Sequence, residues 1–212
     1  MNPRTVRESV AGPAGRIECA LDRPESAPIG IAVICHPHPQ GGGTLDNKVV
    51  QTLARAFIEV GWASLRFNFR GVGASEGTWD DGRGELDDAL AIIHEARRRI
   101  EFAALPLALA GFSFGGYIAA AAAARLGDSD KPHRLVLVAP STEKKQVPAV
   151  PPDSIVIHGD IDELVPLEST LAWARPLSLP VIVFPGVGHF FHGQLGLLKS
   201  VVLRELRGRD AV

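Results

Sequence analysis

A serine flanked by glycines stands where a predicted strand meets a predicted helix. The segment Gly111-Phe112-Ser113-Phe114-Gly115 follows a short apolar run, Pro106 to Ala110, and precedes an alanine-rich stretch. In a sharp strand–turn–helix connection, the serine hydroxyl is held above the end of the sheet, beside the free N–H groups of the helix N-terminus. Such a hydroxyl can act as the nucleophile in acyl transfer, provided that a base takes its proton.

The predicted base is His189, which lies in a glycine-containing segment directly after the last predicted strand. An imidazole base works best beside a carboxylate that fixes its tautomer and stabilises the imidazolium. Asp162 is the predicted carboxylate, and Asp160 is the alternative, because spacing alone does not separate two aspartates after the same strand. Glu163 is instead expected in the first turn of the next helix. The order Ser113, Asp162, His189 is one of the known chain orders of a catalytic triad.

A tetrahedral intermediate on the serine needs fixed N–H donors for its oxyanion. The backbone N–H of Phe114, the residue after the nucleophile, is one predicted donor. The second is expected from the His36–Gly43 loop, whose Pro37 and Pro39 have no N–H to offer. His38 is the predicted donor in this loop, with Gln40 and the glycines as alternatives.

The histidines also allow a metal-site interpretation, formed by His36, His38, His189 and His192. No acidic residue with ligand-like spacing accompanies them, so we predict neither a metal nor a cofactor. A second glycine-rich loop, Arg66 to Gly77, lacks the lysine of a phosphate-binding loop and the spacing of a dinucleotide-binding loop. Its Arg70 is expected to bind loop carbonyls or a carboxylate and so support the site.

These residues must be positioned by alternating strands and helices. Turn residues at 11–14 predict an antiparallel N-terminal hairpin, and Thr44 or Asp46 is expected to cap the first helix. The alternation predicts a mostly parallel twisted sheet with helices on both faces. In such sheets functional groups collect at the carboxyl ends of the strands, and the candidate residues do follow predicted strands. Further strands are predicted at Ile29–Cys35, Trp62–Phe67, Arg134–Val138, Ser154–Ile157 and Pro180–Phe184.

Bulk composition limits the function classes. The 212 residues, 46% hydrophobic and 22% charged, suit one α/β domain over residues 1–212. A net charge of -2 gives no electrostatic basis for binding nucleic acid or an anionic membrane. Cys19 and Cys35 lie in apolar runs and are predicted to be buried free thiols, and the first ten residues lack an apolar signal core. A cytoplasmic protein is therefore expected, with its oligomeric state open.

Taken together, the motifs resemble those of small bacterial α/β-hydrolases without a lid, a group of serine hydrolases related to dienelactone hydrolases and acyl-peptidase-like enzymes. The resemblance rests on the serine segment, His36-Pro37-His38-Pro39, the Arg66–Gly77 loop, the His158–Pro166 segment and Gly188-His189-Phe190-Phe191. It implies an α/β-hydrolase fold and a triad of Ser113, Asp162 and His189. The connection Ala139–Asp153 is too short for a helical lid, so an open site is expected.

The predicted function is cleavage of carboxylic esters through an acyl-enzyme on Ser113, with a small-molecule ester or thioester as substrate. An acyl thioesterase with the same triad is one alternative. Peptidase activity is less favoured, because the chain has no propeller or other substrate-sizing domain. From a different class, a non-catalytic binding module is also possible, since a fold does not determine a function.

Overall fold

The computed structural model describes residues 5–208, and its strands form one eight-stranded sheet in the order β1-β2-β4-β3-β5-β6-β7-β8. The strands are β1 (Val6–Gly12), β2 (Gly15–Asp22), β3 (Ile31–Cys35), β4 (Ala63–Phe67), β5 (Leu107–Phe112), β6 (Arg134–Val138), β7 (Ile155–Gly159) and β8 (Val181–Phe184). The α-helices are α1 (Lys48–Glu59), α2 (Arg83–Arg98), α3 (Phe114–Arg125), α4 (Leu167–Ala174) and α5 (Leu195–Gly208).

The sheet is antiparallel at one edge and parallel elsewhere. Strand β1 pairs with β2, and β2 pairs antiparallel with β4, with Cys19 opposite Phe67. From β4 onwards every neighbouring pair is parallel, which brings the carboxyl ends of β3, β5, β6, β7 and β8 to one edge. The predicted mostly parallel sheet with an antiparallel N-terminal hairpin is confirmed.

Two apolar layers cover the sheet, one on each face. The layer on the α2 and α3 side contains Val33 and Leu109, whereas their neighbours Ile34 and Ala110 belong to the layer on the α1 and α5 side. Strands β3 to β7 are buried on both faces, which explains why most of their residues are apolar. The alanine run in α3 is half-buried or buried over most of its length, because alanine lets the helix approach the sheet closely.

Several predicted boundaries are corrected by the structure. The N-cap of α1 is Asn47, whose side chain accepts hydrogen bonds from Val49 and Val50, and not Thr44 or Asp46. The Thr44 hydroxyl instead accepts from the backbone N–H of Asp46. Strand β5 continues to Phe112, so the serine follows the strand directly.

Both cysteines are free and buried, as predicted, and burial raises the pKa of the Cys19 thiol to about 12.

The connection between β6 and β7 bears on access to the sheet edge. Residues 139–154, all described, form turns and irregular segments without a helix. Among residues 5–208, no helix has both the length and the apolar character needed to cross a bilayer. The single domain over residues 1–212 stays a prediction, because Met1–Arg4 and the last four residues lie outside the described part.

Candidate active site

Ser113 lies in the turn between β5 and α3, in a conformation that L-residues rarely adopt. Its backbone has φ 56° and ψ −119°, and its N–H donates to Val138 at 2.9 Å. The Ser113 carbonyl accepts from Gly116 at 2.9 Å and so begins the helix. A non-glycine residue held at such dihedrals costs about 1–3 kcal/mol, which the surrounding structure must offset. Strain of this kind is typical of a serine held out at a strand–helix turn.

The glycines on either side of Ser113 are required by close backbone contacts. A Cβ atom on Gly111 would lie 2.0 Å from the Gly115 carbonyl oxygen. A Cβ on Gly115 would lie 2.3 Å from the carbonyl oxygen of Cys35, at the end of β3. The start of α3 therefore packs directly against the ends of β5 and β3, and only glycine fits at these two positions.

The structure brings His189 and Asp162 together. His189 Nδ1 lies 2.7 Å from Asp162 Oδ2, and both side chains are buried. Asp162 Oδ1 accepts hydrogen bonds from the backbone N–H groups of Leu164 at 2.9 Å and Val165 at 2.7 Å. Asp160 does not approach the histidine, because its exposed carboxylate accepts from Gly186 at 2.6 Å. Of the two aspartates, the geometry favours Asp162 as the partner of His189.

Burial alone would raise the pKa of Asp162, yet its pKa lies below the ordinary value. The hydrogen bonds from His189 and from the backbone N–H groups of Val165 and Leu164 favour the ionised form and outweigh the burial. The buried carboxylate thus stays charged near neutral pH, which suits a group that orients and stabilises an imidazolium.

A ring contact with Phe112, the residue before the serine, puts His189 beside the β5–α3 turn. The ring of Phe112 lies 4.9 Å from the His189 ring, centroid to centroid, and Phe190 packs edge-on against His189 at 5.1 Å. Ser113 is 8% exposed, and its hydroxyl makes no hydrogen bond to another described residue, His189 included. Glu163 lies in the loop, four residues before α4, so its predicted position in the helix is wrong; its carboxylate faces the His189 N–H at 3.5 Å.

In the His36–Gly43 loop, the predicted oxyanion donor, the backbone N–H of His38, makes no hydrogen bond to a described residue. The N–H of Gln40 donates to His38 Nδ1 at 3.2 Å, and the N–H groups of Gly41, Gly42 and Gly43 donate to carbonyls within the loop. Across the described residues, the backbone N–H groups of His38 and Phe114 donate to no acceptor. These two N–H groups are thus available to an oxyanion, whereas the alternatives are occupied.

His36 holds this loop in place and has no free ring nitrogen. It is fully buried, its Nδ1 lies 2.6 Å from the Pro37 carbonyl oxygen, and its Nε2 accepts from the Phe69 N–H at 3.1 Å. Burial lowers its pKa to about 4, so it is neutral near pH 7. No group of three or more possible metal ligands occurs between residues 5 and 208, and His36 could not ligate without losing a backbone contact.

The second glycine-rich loop is fixed by a buried ion pair, as expected of Arg70. The Arg70 guanidinium binds both carboxylate oxygens of Asp88, at 2.8 and 3.0 Å, and Asp88 is fully buried. Trp79 follows this loop two residues after Gly77, and its ring lies 4.6 Å from that of His38. The half-buried rings of His38, Trp79 and Tyr117 surround buried Phe114 at 5.2 to 5.9 Å and form an aromatic wall beside the predicted oxyanion donors.

One residue at this edge belonged to a segment that carried the resemblance, but the sequence analysis gave it no functional role of its own. His158, at the end of β7, is fully buried, and its Nε2 lies 2.8 Å from the Val165 carbonyl oxygen and 3.4 Å from Asp162 Oδ2. The available signal was its position, a polar residue in an otherwise apolar strand, four residues before the aspartate. Gly159 follows because a Cβ there would lie 2.1 Å from the Val187 carbonyl oxygen.

Comparisons with known proteins show what this chain is similar to. A family model described as serine aminopeptidase, S33 matches residues 27–166. A solved α/β serine hydrolase homologue from Coxiella burnetii is 39% identical, with a TM-score of 0.85, over 95% of this chain and 97% of that one. A solved α/β serine hydrolase without a lid, from Xanthomonas campestris, is 34% identical, with a TM-score of 0.88, over 98% of this chain and 95% of that one. An uncharacterized protein from Rickettsia prowazekii is 33% identical over 192 residues, which is 85% of this chain and 79% of that protein.

Proposed function

The chain belongs to the α/β serine hydrolases, in the family described as serine aminopeptidase, S33, and from this membership we propose that it cleaves carboxylic esters by acyl transfer. The predicted lidless α/β-hydrolase fold and the resemblance drawn from the motifs are confirmed by these relatives. The proposal of a Ser-His-Asp mechanism is carried by the 2.7 Å contact between His189 and buried Asp162 beside the strained Ser113 turn.

In the proposed mechanism, Ser113 attacks the ester carbonyl carbon while His189 Nε2 takes the hydroxyl proton. Asp162 holds the other ring nitrogen and stabilises the imidazolium that forms. The oxyanion of the tetrahedral intermediate accepts hydrogen bonds from the backbone N–H groups of Phe114 and His38. His189 then returns the proton to the leaving alcohol, and water cleaves the acyl-enzyme with His189 again as the base.

The same steps orient the substrate. Because His189 must reach the leaving oxygen, the alcohol lies beside His189 and the exposed residue Phe190. The acyl group then points away from His189, along the aromatic wall of His38, Trp79 and Tyr117. On this assignment, Trp79→Ala should alter the ranking of acyl groups and leave the ranking of alcohols unchanged. Equal changes in both rankings, measured as kcat/KM over paired ester series, would contradict it.

Three other functions are the alternatives to ester cleavage: two enzyme activities and a non-catalytic binding role. An acyl thioesterase would use the same residues, and the family description raises the possibility of an aminopeptidase. For the ester proposal we rely on the short connection after β6, which adds no domain that would select peptides by size. A non-catalytic binding module would have no use for a nucleophile, a paired base and two unused N–H donors together.

The proposal is tested by labelling and by a substrate comparison. A fluorophosphonate should form an adduct on Ser113, located by mass spectrometry of peptides, and should leave the other serines unmodified. Rates are then compared for an oxyester and a thioester with the same acyl group, and for an aminoacyl p-nitroanilide. Faster thioester or anilide turnover would replace the ester proposal, and absence of labelling would favour the binding module.

We further propose a cytoplasmic location, consistent with the two free buried thiols.

A further inference from the structure

His158 is a buried titratable residue to which the mechanism above gives no part. Its Nε2 faces two acceptors, the Val165 carbonyl oxygen at 2.8 Å and Asp162 Oδ2 at 3.4 Å. Its Nδ1 is buried and has no hydrogen-bond partner among the described residues. Since two oxygens face Nε2 and nothing faces Nδ1, the proton of the neutral ring lies on Nε2. Burial lowers the pKa of His158, which favours this neutral form.

The contacts around Val165 connect His158 to the carboxylate of Asp162. The Val165 carbonyl accepts from His158, while the Val165 N–H donates to Asp162 Oδ1 at 2.7 Å. His158 therefore fixes Val165, and Val165 in turn fixes the Asp162 carboxylate. The His158 N–H also points toward Asp162 Oδ2, the oxygen that contacts His189. Asp162 Oδ1 is fixed by two backbone N–H groups, and Oδ2 lies between the two histidine rings.

We propose that His158 is a positioning residue for catalysis, which sets the orientation of Asp162 and, through it, of His189. This inference rests on the proposed triad and adds to it a residue that does not touch the substrate. Loss of the His158 N–H would free the Val165 peptide and allow the 162–165 turn to rotate. A displacement of about 1 Å in a catalytic constellation can lower the rate about 100-fold.

The test compares His158→Leu, which cannot donate, with His158→Gln, whose side-chain amide can place an N–H near the position of Nε2. For wild type and variants, kcat and KM on p-nitrophenyl acetate and the rate of fluorophosphonate labelling are measured, with thermal unfolding as the check on folding. We expect His158→Leu to lower kcat and the labelling rate by about 10–100-fold with KM nearly unchanged. His158→Gln should recover most of this loss. His133→Leu, which removes an exposed histidine at the other end of the sheet, is the control and should be neutral.

A combined variant separates positioning from general packing. If His158 acts through Asp162, adding His158→Leu to Asp162→Asn should lower kcat no further, because the two changes remove the same function. Multiplicative losses, or equal loss in the Leu and Gln variants, would overturn the inference. So would a His158→Leu protein with wild-type kcat and labelling rate. A wild-type protein that neither turns over esters nor reacts with the fluorophosphonate would refute the proposed function itself, and the inference with it.

Discussion

The contact between the first turn of α3 and the end of β3 predicts a specific effect of Gly115→Ala. The new Cβ would lie 2.3 Å from the Cys35 carbonyl oxygen and 2.5 Å from that of His36, whereas ordinary contacts begin near 3.4 Å. The backbones must therefore separate by about 1 Å, because neither clashing atom belongs to a flexible side chain. Overpacking of this kind costs about 3 kcal/mol, the upper end of the usual range.

The same separation should reduce activity, because the two proposed oxyanion donors lie on opposite sides of the contact. Phe114 precedes Gly115 on the helix, and the loop with His38 begins at His36. For a chain of this length, about 3 kcal/mol corresponds to a fall in Tm of roughly 6–12 °C. Displacing one donor by about 1 Å should lower kcat/KM about 100-fold.

Thermal unfolding and p-nitrophenyl acetate hydrolysis measure the two effects in one protein preparation. Gly196→Ala is the matched control, since a Cβ there meets no atom within 4 Å and alanine favours the α5 helix. The control should keep or slightly raise Tm. A Gly115→Ala protein with unchanged Tm would refute the packing argument. A lowered Tm with wild-type kcat/KM would refute the link between this contact and the donors.

Two further predictions concern charge at the site. Asp162→Asn should lower kcat by about 10⁴-fold, because an amide N–H facing His189 Nδ1 favours the wrong tautomer of the imidazole. Asp160→Asn is the control and should keep a kcat near that of the wild type. Steady-state kinetics distinguish the two variants, and equal losses of kcat would reopen the choice of the acid. The pKa of His36 falls from 6.5 unfolded to about 4 folded, so below about pH 6.5 the unfolded chain takes up a proton that the native protein does not. The free energy of unfolding should therefore fall by about 3 kcal/mol between pH 6.5 and pH 4. Urea titrations across this range should show a shallower decline for His36→Gln, and identical slopes would contradict this account.

The sequence allowed the strands and the serine turn to be predicted because their signals are local. The mainly apolar sequences of β3 to β7 reflect burial on both faces. The glycines around Ser113 follow from backbone contacts that no side chain tolerates. Placement of His189 after the last strand followed from the rule that functional groups collect at the carboxyl ends of parallel strands.

The choice between Asp160 and Asp162 depended on how the loop after β7 folds. The backbone N–H groups of Leu164 and Val165 turn Asp162 inward, while Gly186 binds Asp160 at the surface. The contacts that decide the choice, Asp162 with His189 and Asp160 with Gly186, join segments 27 and 26 residues apart, so spacing could not identify them. The N-cap of α1 was missed for a different reason. Thr44, Asp46 and Asn47 all have side chains suited to capping, so residue type alone does not identify Asn47 as the N-cap.

The central claim is that Ser113 is the nucleophile, and hydrolysis of a p-nitrophenyl ester series by wild type and Ser113→Ala tests it most directly. The series runs from acetate to long acyl chains, with equal protein concentrations and Tm measured for both proteins. The account predicts turnover by the wild type that disappears in Ser113→Ala, whose fold and Tm should be preserved. Ester hydrolysis that survives in Ser113→Ala at the wild-type rate would contradict the triad and the mechanism built on it.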